Sequence, residues 1–596
     1  MRVHRPFGSF GRVVRGWAES QPDQCAVRFL ADGDEAEESL SYRELDARAR
    51  AIAVELGRFT RPGDRALLLY PPGLEYVAGF FGCLYAGVIA VPAYPPRANQ
   101  KAERIIAMCL DAQPAAMLTL SATRDVSRGD DVLGPLLDGV RIVATDALAA
   151  HGAHVDAWRE PAIAPDEIAF LQYTSGSTAA PRGVQVSHAN LLADSEFIKR
   201  KFGHSAASHA VIWLPPYHDM GLIGGILNPI YCGFPVTLMA PVMFLQRPVR
   251  WLRAISRYRA TTSGAPNFAY ELCATRVTDE QKAELDLSTW DLAFNGAEPV
   301  RAETAQRFYE AFRACGFSRE SFYPCYGLAE ATLMVTGGTK GRPFSTKVVD
   351  ADELAAHRAV ETSPASPQAR TLASSGDAGS ASVVTIVDPE RGVALPDGSI
   401  GEVYVSGPIV ARGYWNQPRS THETFGARLA GSDAAHLRTG DLGFLANGEL
   451  YVTGRAKDMI ILRGRNYYPQ DLEASAEAAH LALRGAPAAA FGLDVGGEEQ
   501  LAIAQEVPRA AIGTLDVAAT VAAIREAVAR EHALSVFAVA LLRPGGILKT
   551  SSGKVRRGAT AALLRPHILS TDPAPEGSGR AKLIDVWRAP SMQLTT

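Results

Sequence analysis

The sequence predicts an α/β protein: a large N-terminal body of layered sheets and helices with a β-rich subdomain, followed by a small α+β C-terminal domain. Three patterns carry that expectation. Over the first three quarters of the 596 residues, short apolar runs alternate with longer amphipathic stretches, as buried strands alternate with helices. Residues 383–450 hold strand-like runs (VVTIVD, GEVYVSG) with a turn signal at 396–398. Beyond residue 458, one helix-spaced apolar face lies among three further strand-like runs.

In chain order, 65–70 (RALLLY), 168–173 (IAFLQY), 211–214 (VIWL) and 292–294 read as strands, and 42–56 and 248–258 as amphipathic helices. The most apolar stretch, 77–91, is too short to span a membrane and contains Gly79, Gly82 and Gly87. It reads as a buried helix running into a strand. Residues 341–382, rich in Ser, Ala, Asp and Pro, are expected to be a surface insertion with only a short helical piece near 350–358. Near the C-terminus, Val517, Val521, Ile524 and Val528 share one helix face introduced by Asp516, with AAAFGLDV, QLAIAQEV and FAVALL as flanking strands. The expected units are 1–457, 458–569 and a loose tail, 570–596, rich in Pro, Gly, Ser and Thr.

Composition excludes several classes. Hydrophobic residues at 47% and charged residues at 21% fit neither a disordered chain nor a coiled coil. Sixty Lys and Arg against 64 Asp and Glu leave a formal charge of −4, which gives no reason to expect a nucleic-acid partner. The seven cysteines are scattered and never spaced as CxxC, the pattern of reduced thiols in a cytoplasmic protein. No apolar run follows the basic N-terminus, so neither a signal peptide nor a membrane span is expected.

The chemistry-bearing segment is Tyr173 to Val184 (YTSGSTAAPRGV). Small hydroxyl residues and glycine present backbone N–H and O–H donors on a tight curve, which suits polyphosphate oxygens, and Arg182 adds a fixed positive charge. A Ser/Gly-rich surface turn has the same composition. Walker A, GxGxxG, GxSxG and HExxH motifs are all absent.

Four later segments follow this loop in order: Asn295 to Glu298 (NGAE), Tyr326 to Glu330 (YGLAE), Arg438 to Asp441 (RTGD) with Gly454 to Asp458 (GRAKD), and Lys549 to Lys554 (KTSSGK). Together they resemble the adenylate-forming superfamily, in which a carboxylic acid attacks the α-phosphorus of ATP and pyrophosphate leaves. The resemblance implies ATP and Mg²⁺ as cofactors and assigns roles residue by residue. The loop residues Thr174, Ser175, Gly176, Ser177, Thr178 and Arg182 would hold phosphates, with Thr174 and Glu330 the Mg²⁺-associated pair. Tyr326 would stack on adenine beside Gly296, Ala297 and Gly327. Asp441 would accept from both ribose hydroxyls and Arg455 would donate to the same sugar. Lys554 would be the catalytic lysine of a mobile small domain, bridging carboxylate and α-phosphate, and Asp458 the hinge.

Within the superfamily the wording resembles the fatty acyl-AMP ligases. Leu214 to Gly225 (LPPYHDMGLIGG), Ala329 where most of the superfamily has Thr, the insertion centred on 344–370 and Arg463 to Glu473 (RGRNYYPQDLE) carry the likeness. Ala179, Ala180 and Arg182 depart from the commoner glycines and lysine. The resemblance implies a fatty acid substrate and an acyl carrier protein or polyketide synthase acting in trans, with a long-chain acyl-CoA synthetase as the alternative. His218 would stand between the acyl pocket and the α-phosphate. Gly264, Asn267 and Tyr270 would line that pocket, Gly264 leaving room for the chain.

Overall fold

The computed structural model describes residues 8–94, 103–128, 134, 137–150, 155–174, 181–380, 382–462, 465–495, 498–550, 553–569 and 582–589. Two mostly parallel sheets form the N-terminal body. One has eight strands, in the order Met334–Gly337, Phe322–Gly327, Leu292–Asn295, Thr262–Ala265, Ala210–Ile212, Val236–Met239, Cys25–Leu30 and Glu37–Ser41, antiparallel only at its two edges. The other has six, in the order Arg141–Ala144, Ala116–Thr119, Arg65–Leu69, Ile89–Ala93, Ile168–Thr174 and Arg182–Ser187. Its last pair is antiparallel, so residues 175–181 are the connection between those two strands.

Helices between the sheets form where local signals agree. Ser41 accepts from the Glu44 amide while Glu44 reaches back to the Ser41 amide, a reciprocal cap that starts Tyr42–Leu56 at the expected residue. The apolar stretch becomes the helix Leu74–Ala86, ended by Gly87 at φ 68°, and the strand Ile89–Ala93. The helix side chains join Phe10, Phe170 and Trp251 in the main core, while Ile89, Val91 and Ala93 pack in a second cluster; burial of each large apolar side chain contributes about 1.5–3 kcal/mol. All seven cysteines are free thiols, and among the described residues no helix is long and apolar enough to cross a membrane.

An antiparallel six-stranded unit, built around Gly401–Ser406 and Ala435–Ala446, follows the body. The C-terminal sheet orders Ala488–Val495, Glu498–Glu506, Ala538–Leu542 and Leu583–Arg588, with Val517–His532 capped by Asp516 and packed through Val521, Ile524 and Val528.

Two expectations need correction. The insertion is not merely a loop with a short helix: Thr346–Asp350 and Ala369–Ala373 pair as an antiparallel ribbon. The expected loose tail contains the strand Leu583–Arg588, which pairs with Ala538–Leu542, and Arg525 lies 3.8 Å over the Trp587 ring. Sheet pairing and the half-buried aromatic outweigh the polar composition around them.

Candidate active site

A cavity of about 550 Å³ opens between the eight-stranded sheet, the antiparallel unit and the C-terminal domain. Part of its wall is apolar, from Ile198, Phe202, Met220, Phe294, Leu333 and Met334. Another part is polar, from Thr174, Arg182, Glu330, Arg455 and Lys457, and His218 and Lys554 also reach it.

The polar part is pinned by a short network. Asp441 accepts from the Tyr326 hydroxyl at 2.7 Å and from Arg455 Nε at 2.8 Å. Beside this carboxylate the Arg455 pKa is pushed up, while burial and then Asp441 push up that of Tyr326. Arg182 lies over the Tyr414 ring at 5.2 Å, and the Tyr414 hydroxyl donates to Glu330 at 2.8 Å. The loop's cation and the Glu330 carboxylate are thereby tied through one aromatic ring. Gly327 lets the chain pass close to the following segment, since a Cβ there would sit 1.8 Å from the Leu333 carbonyl oxygen. Ala297 and Thr332 hold left-handed φ values of 70° and 65°, strain of the kind that clusters at functional sites.

His218 and Asp219 precede the π-helical turn Met220–Leu227, and such turns favour functional sites. Asp219 caps it, accepting from the Met220 amide at 2.7 Å, and lies 2.6 Å from His218 Nδ1. Burial alone would raise the Asp219 pKa, but His218 and, less strongly, Lys554 hold it at about 2.

Lys554 comes from the C-terminal domain on a tight hairpin. Lys549 and Val555 bridge, the Thr550 amide donates to the Lys554 carbonyl at 2.8 Å, and Gly553 turns the chain at φ 90° against the Phe268 ring. A Cβ at Gly553 would lie 3.0 Å from that ring, so glycine is what lets the hairpin approach the body. Burial lowers the Lys554 pKa, opposed chiefly by Asp219.

The C-terminal domain is held over the cavity at several points. From the insertion, Arg370 donates to His532 Nδ1 at 2.9 Å and Asp352 pairs with Arg465. Asn466 donates to the Ala355 carbonyl at 3.2 Å. Arg301 of the body lies 3.4 Å from Glu477. Asp458 accepts from Arg557 at 3.3 Å, and Arg557 also makes two hydrogen bonds to Glu473, at 2.6 and 2.7 Å.

The matching family is described as AMP-binding enzyme, over residues 14–415. The chain belongs to this family. It is 45% identical over 546 residues to a medium-chain-fatty-acid–[acyl-carrier-protein] ligase, JamA, of Moorena producens, covering 90% of this chain and 92% of that protein. To a long-chain-fatty-acid–AMP ligase, FadD32, of Mycolicibacterium smegmatis it is 37% identical, covering 95% and 97%. Among solved structures, a fatty acyl-adenylate ligase from L. pneumophila in complex with acyl adenylate and pyrophosphate superposes with a TM-score of 0.75 at 39% identity, covering 98% of each chain. These relatives place this AMP-binding enzyme with the fatty acyl-AMP ligases and its architecture with the adenylate-forming fold.

Most of the expected site residues converge. Thr174, Arg182, His218, Glu330, Arg455 and Lys554 are on the cavity wall, as are Gly296, Ala297, Tyr326 and Gly327. Asp441 is buried behind Tyr326 and Arg455 and is not itself on the wall. Ser175, Gly176, Ser177 and Thr178 lie outside the described residues.

The acyl-pocket assignment of Gly264, Asn267 and Tyr270 is corrected, because none of the three reaches the cavity. A Cβ on Gly264 would fall 2.2 Å from the Phe294 carbonyl oxygen and 2.3 Å from its ring. The missing side chain seats Phe294, and Phe294 in turn forms the wall. Tyr270 is fully buried and donates to the Phe294 carbonyl, and Asn267 donates to Thr304.

The residues passed over in the sequence include Arg104, Gln172, Tyr217, Tyr414, Lys457 and the apolar wall itself. Lys457 lies inside the GRAKD segment, so a positive charge between Arg455 and Asp458 was a visible signal. The apolar wall comes from four separate segments and has no local signature.

Proposed function

We propose that the chain activates a fatty acid with ATP to an acyl-adenylate, releasing pyrophosphate, and then passes the acyl group to the phosphopantetheine thiol of an acyl carrier protein or polyketide synthase. The observation that carries this reading is Lys554 of the C-terminal domain standing in the same cavity as Glu330, Arg455 and an apolar arm. The named activities of the ligase relatives agree with it.

The proposed chemistry is positioning and charge neutralisation. The acyl chain occupies the apolar arm, desolvated by Phe202, Phe294 and Met334, and its carboxylate faces His218 and Lys554. Tyr326, backed by Asp441, bounds the nucleoside, and Arg455 donates to the sugar. A carboxylate oxygen attacks the α-phosphorus, the bridging α–β P–O bond breaks, and pyrophosphate leaves with the electron pair. The Lys554 ammonium bridges carboxylate and α-phosphate oxygens as charge develops there. Desolvation and, less strongly, Arg455 lower its pKa, while the carboxylates of Asp219, Asp441 and Glu298 favour its ammonium form.

Thr174 and Glu330 supply a hydroxyl and a carboxylate, the hard oxygen donors that suit Mg²⁺ bound mainly through phosphates. When bound, Mg²⁺ would neutralise phosphate charge.

The test is to supply acid and ATP with free CoA, and separately with a holo carrier protein, across a series of chain lengths. Acyl-adenylate followed by acyl-carrier, with little acyl-CoA, is expected. Rapid acyl-CoA formation would replace this reading with that of an acyl-CoA synthetase.

A further inference from the structure

Tyr414 links the two sheets of the body at the cavity wall. Its segment runs beside the strand Arg182–Ser187. Tyr414 bridges Val184, the Gln185 amide donates to the Gly413 carbonyl at 2.9 Å, and the Trp415 amide donates to the Gly183 carbonyl at 2.7 Å. The same segment reaches the turn of the eight-stranded sheet that carries Glu330. There the Ala411 amide donates to the Glu330 carbonyl at 2.9 Å, and Thr332 Oγ1 donates to the Ile409 carbonyl at 2.6 Å. Residues 409–415 are therefore a strap tied both to Arg182–Ser187 and to Glu330.

The Tyr414 side chain repeats the link. Its ring is buried, edge-on to Phe425 at 5.2 Å, with the Arg182 guanidinium 5.2 Å from its centre. A ring so held fixes its hydroxyl, and that hydroxyl donates to Glu330 Oε1 at 2.8 Å. Burial and then the Glu330 carboxylate push the Tyr414 pKa up, so the phenol keeps the proton it donates.

This contact limits what Glu330 can offer a cation. A free carboxylate can turn and give a metal one oxygen or two. With Oε1 engaged by the phenol, giving both oxygens would weaken a hydrogen bond to a charged group, so Glu330 presents Oε2. Mg²⁺ demands near-octahedral geometry and draws most of its oxygens from phosphates and water. Ca²⁺ is larger, takes more oxygens and accepts bidentate carboxylates. A one-oxygen carboxylate suits the first ion and withholds a ligand from the second.

In the adenylation reading, on which this inference rests, Glu330 is the carboxylate beside Mg²⁺. We propose that Tyr414 is a positioning residue that holds Glu330 as a one-oxygen ligand and thereby sets the site's preference for Mg²⁺ over Ca²⁺. The hydroxyl carries the effect and not the ring, because the strap and the ring still locate Glu330 when the hydroxyl is removed.

The experiment uses the full-length protein and titration calorimetry with α,β-methylene ATP, in Mg²⁺ or in Ca²⁺ and without acid, so that binding is read without turnover. The wild type should bind this analogue more tightly in Mg²⁺. Tyr414→Phe keeps the ring and removes the hydroxyl. Its Mg²⁺-to-Ca²⁺ affinity ratio is expected to fall about tenfold, the scale of one hydrogen bond to a charged group. AMP affinity without divalent cation should stay at the wild-type value, which separates lost selectivity from a damaged site. In a Glu330→Gln background, Tyr414→Phe should change the ratio no further, since the hydroxyl acts through that carboxylate. An unchanged ratio in Tyr414→Phe, a further change in the double variant, or a loss of AMP affinity equal to that of the analogue would overturn the role of Tyr414. The functional reading falls separately, if the wild type makes no acyl-adenylate from any acid.

Discussion

Lys554 concentrates the site's electrostatics because it is the long, flexible cation that the C-terminal domain contributes to the cavity. Half-buried at the cavity wall, it has the carboxylates of Asp219, Asp441 and Glu298 to oppose the loss of hydration. The same arrangement makes its removal specific. In the proposed mechanism, Lys554→Ala deletes charge stabilisation that matters most in the transition state, while Tyr326, Asp441 and Arg455 would still hold the nucleoside end. Adenylation should fall by about 10²–10³, as on removing one oxyanion donor, with AMP affinity and thermal stability close to wild type. Acid-dependent pyrophosphate release is the measurement, and a near-normal rate in that variant would remove Lys554 from the chemistry. Gly264 teaches the opposite lesson at this scale. A glycine in an acyl-pocket motif reads as room for substrate, but the space is taken by Phe294 from the adjacent strand, and sequence order does not show which neighbour fills a gap.

Among elements, those with local causes were legible. The helix Tyr42–Leu56 has its cap and period within a few residues, as does Val517–His532. The ribbon Thr346–Asp350 with Ala369–Ala373 and the strand Leu583–Arg588 were not, because each depends on a partner strand elsewhere in the chain. That ribbon carries Arg370, whose contact with His532 has a defined protonation state. Arg370 only donates, so His532 Nδ1 must accept, leaving the ring neutral with its proton on Nε2, which donates to Ser475 Oγ at 2.7 Å. Burial and then Arg370 lower the His532 pKa to about 4, against partial opposition from Glu531. Because the folded value lies below the unfolded 6.5, this contact contributes stability above about pH 6.5 that is lost as pH falls toward 4. His532→Gln keeps a donor and an acceptor without titrating, so its thermal unfolding temperature should fall less than that of wild type between pH 6.5 and 4. Parallel curves for the two proteins would show that the contact adds no pH dependence.

For the whole molecule, the C-terminal domain is seated with Lys554 in the cavity and with the insertion's Arg370 and Asp352 against it, and the proposed two-step reaction would need a second pose. The order of motifs made the two-lobed plan readable, whereas the contacts that hold this pose link residues more than a hundred positions apart. A second pose needs a pivot, and the proposed one, Asp458, sits in the turn Ala456–Asp458, joined to the C-terminal domain through Arg557. Such a turn has φ of about −50 to −70°, close to the value to which proline is fixed. Asp458→Pro should therefore keep the present pose and block departure from it. Adenylate formation should stay near wild type, while acyl transfer to a holo carrier falls by about 10²-fold, the scale on which misplaced reacting groups lose rate. Asp458→Ala separates this from loss of the ion pair, since it removes the carboxylate but leaves the backbone free, and both half-reactions should survive. Single-turnover assays of each step distinguish the outcomes: equal loss of both steps in Asp458→Pro, or selective loss of transfer in Asp458→Ala, would place the pivot elsewhere in the chain.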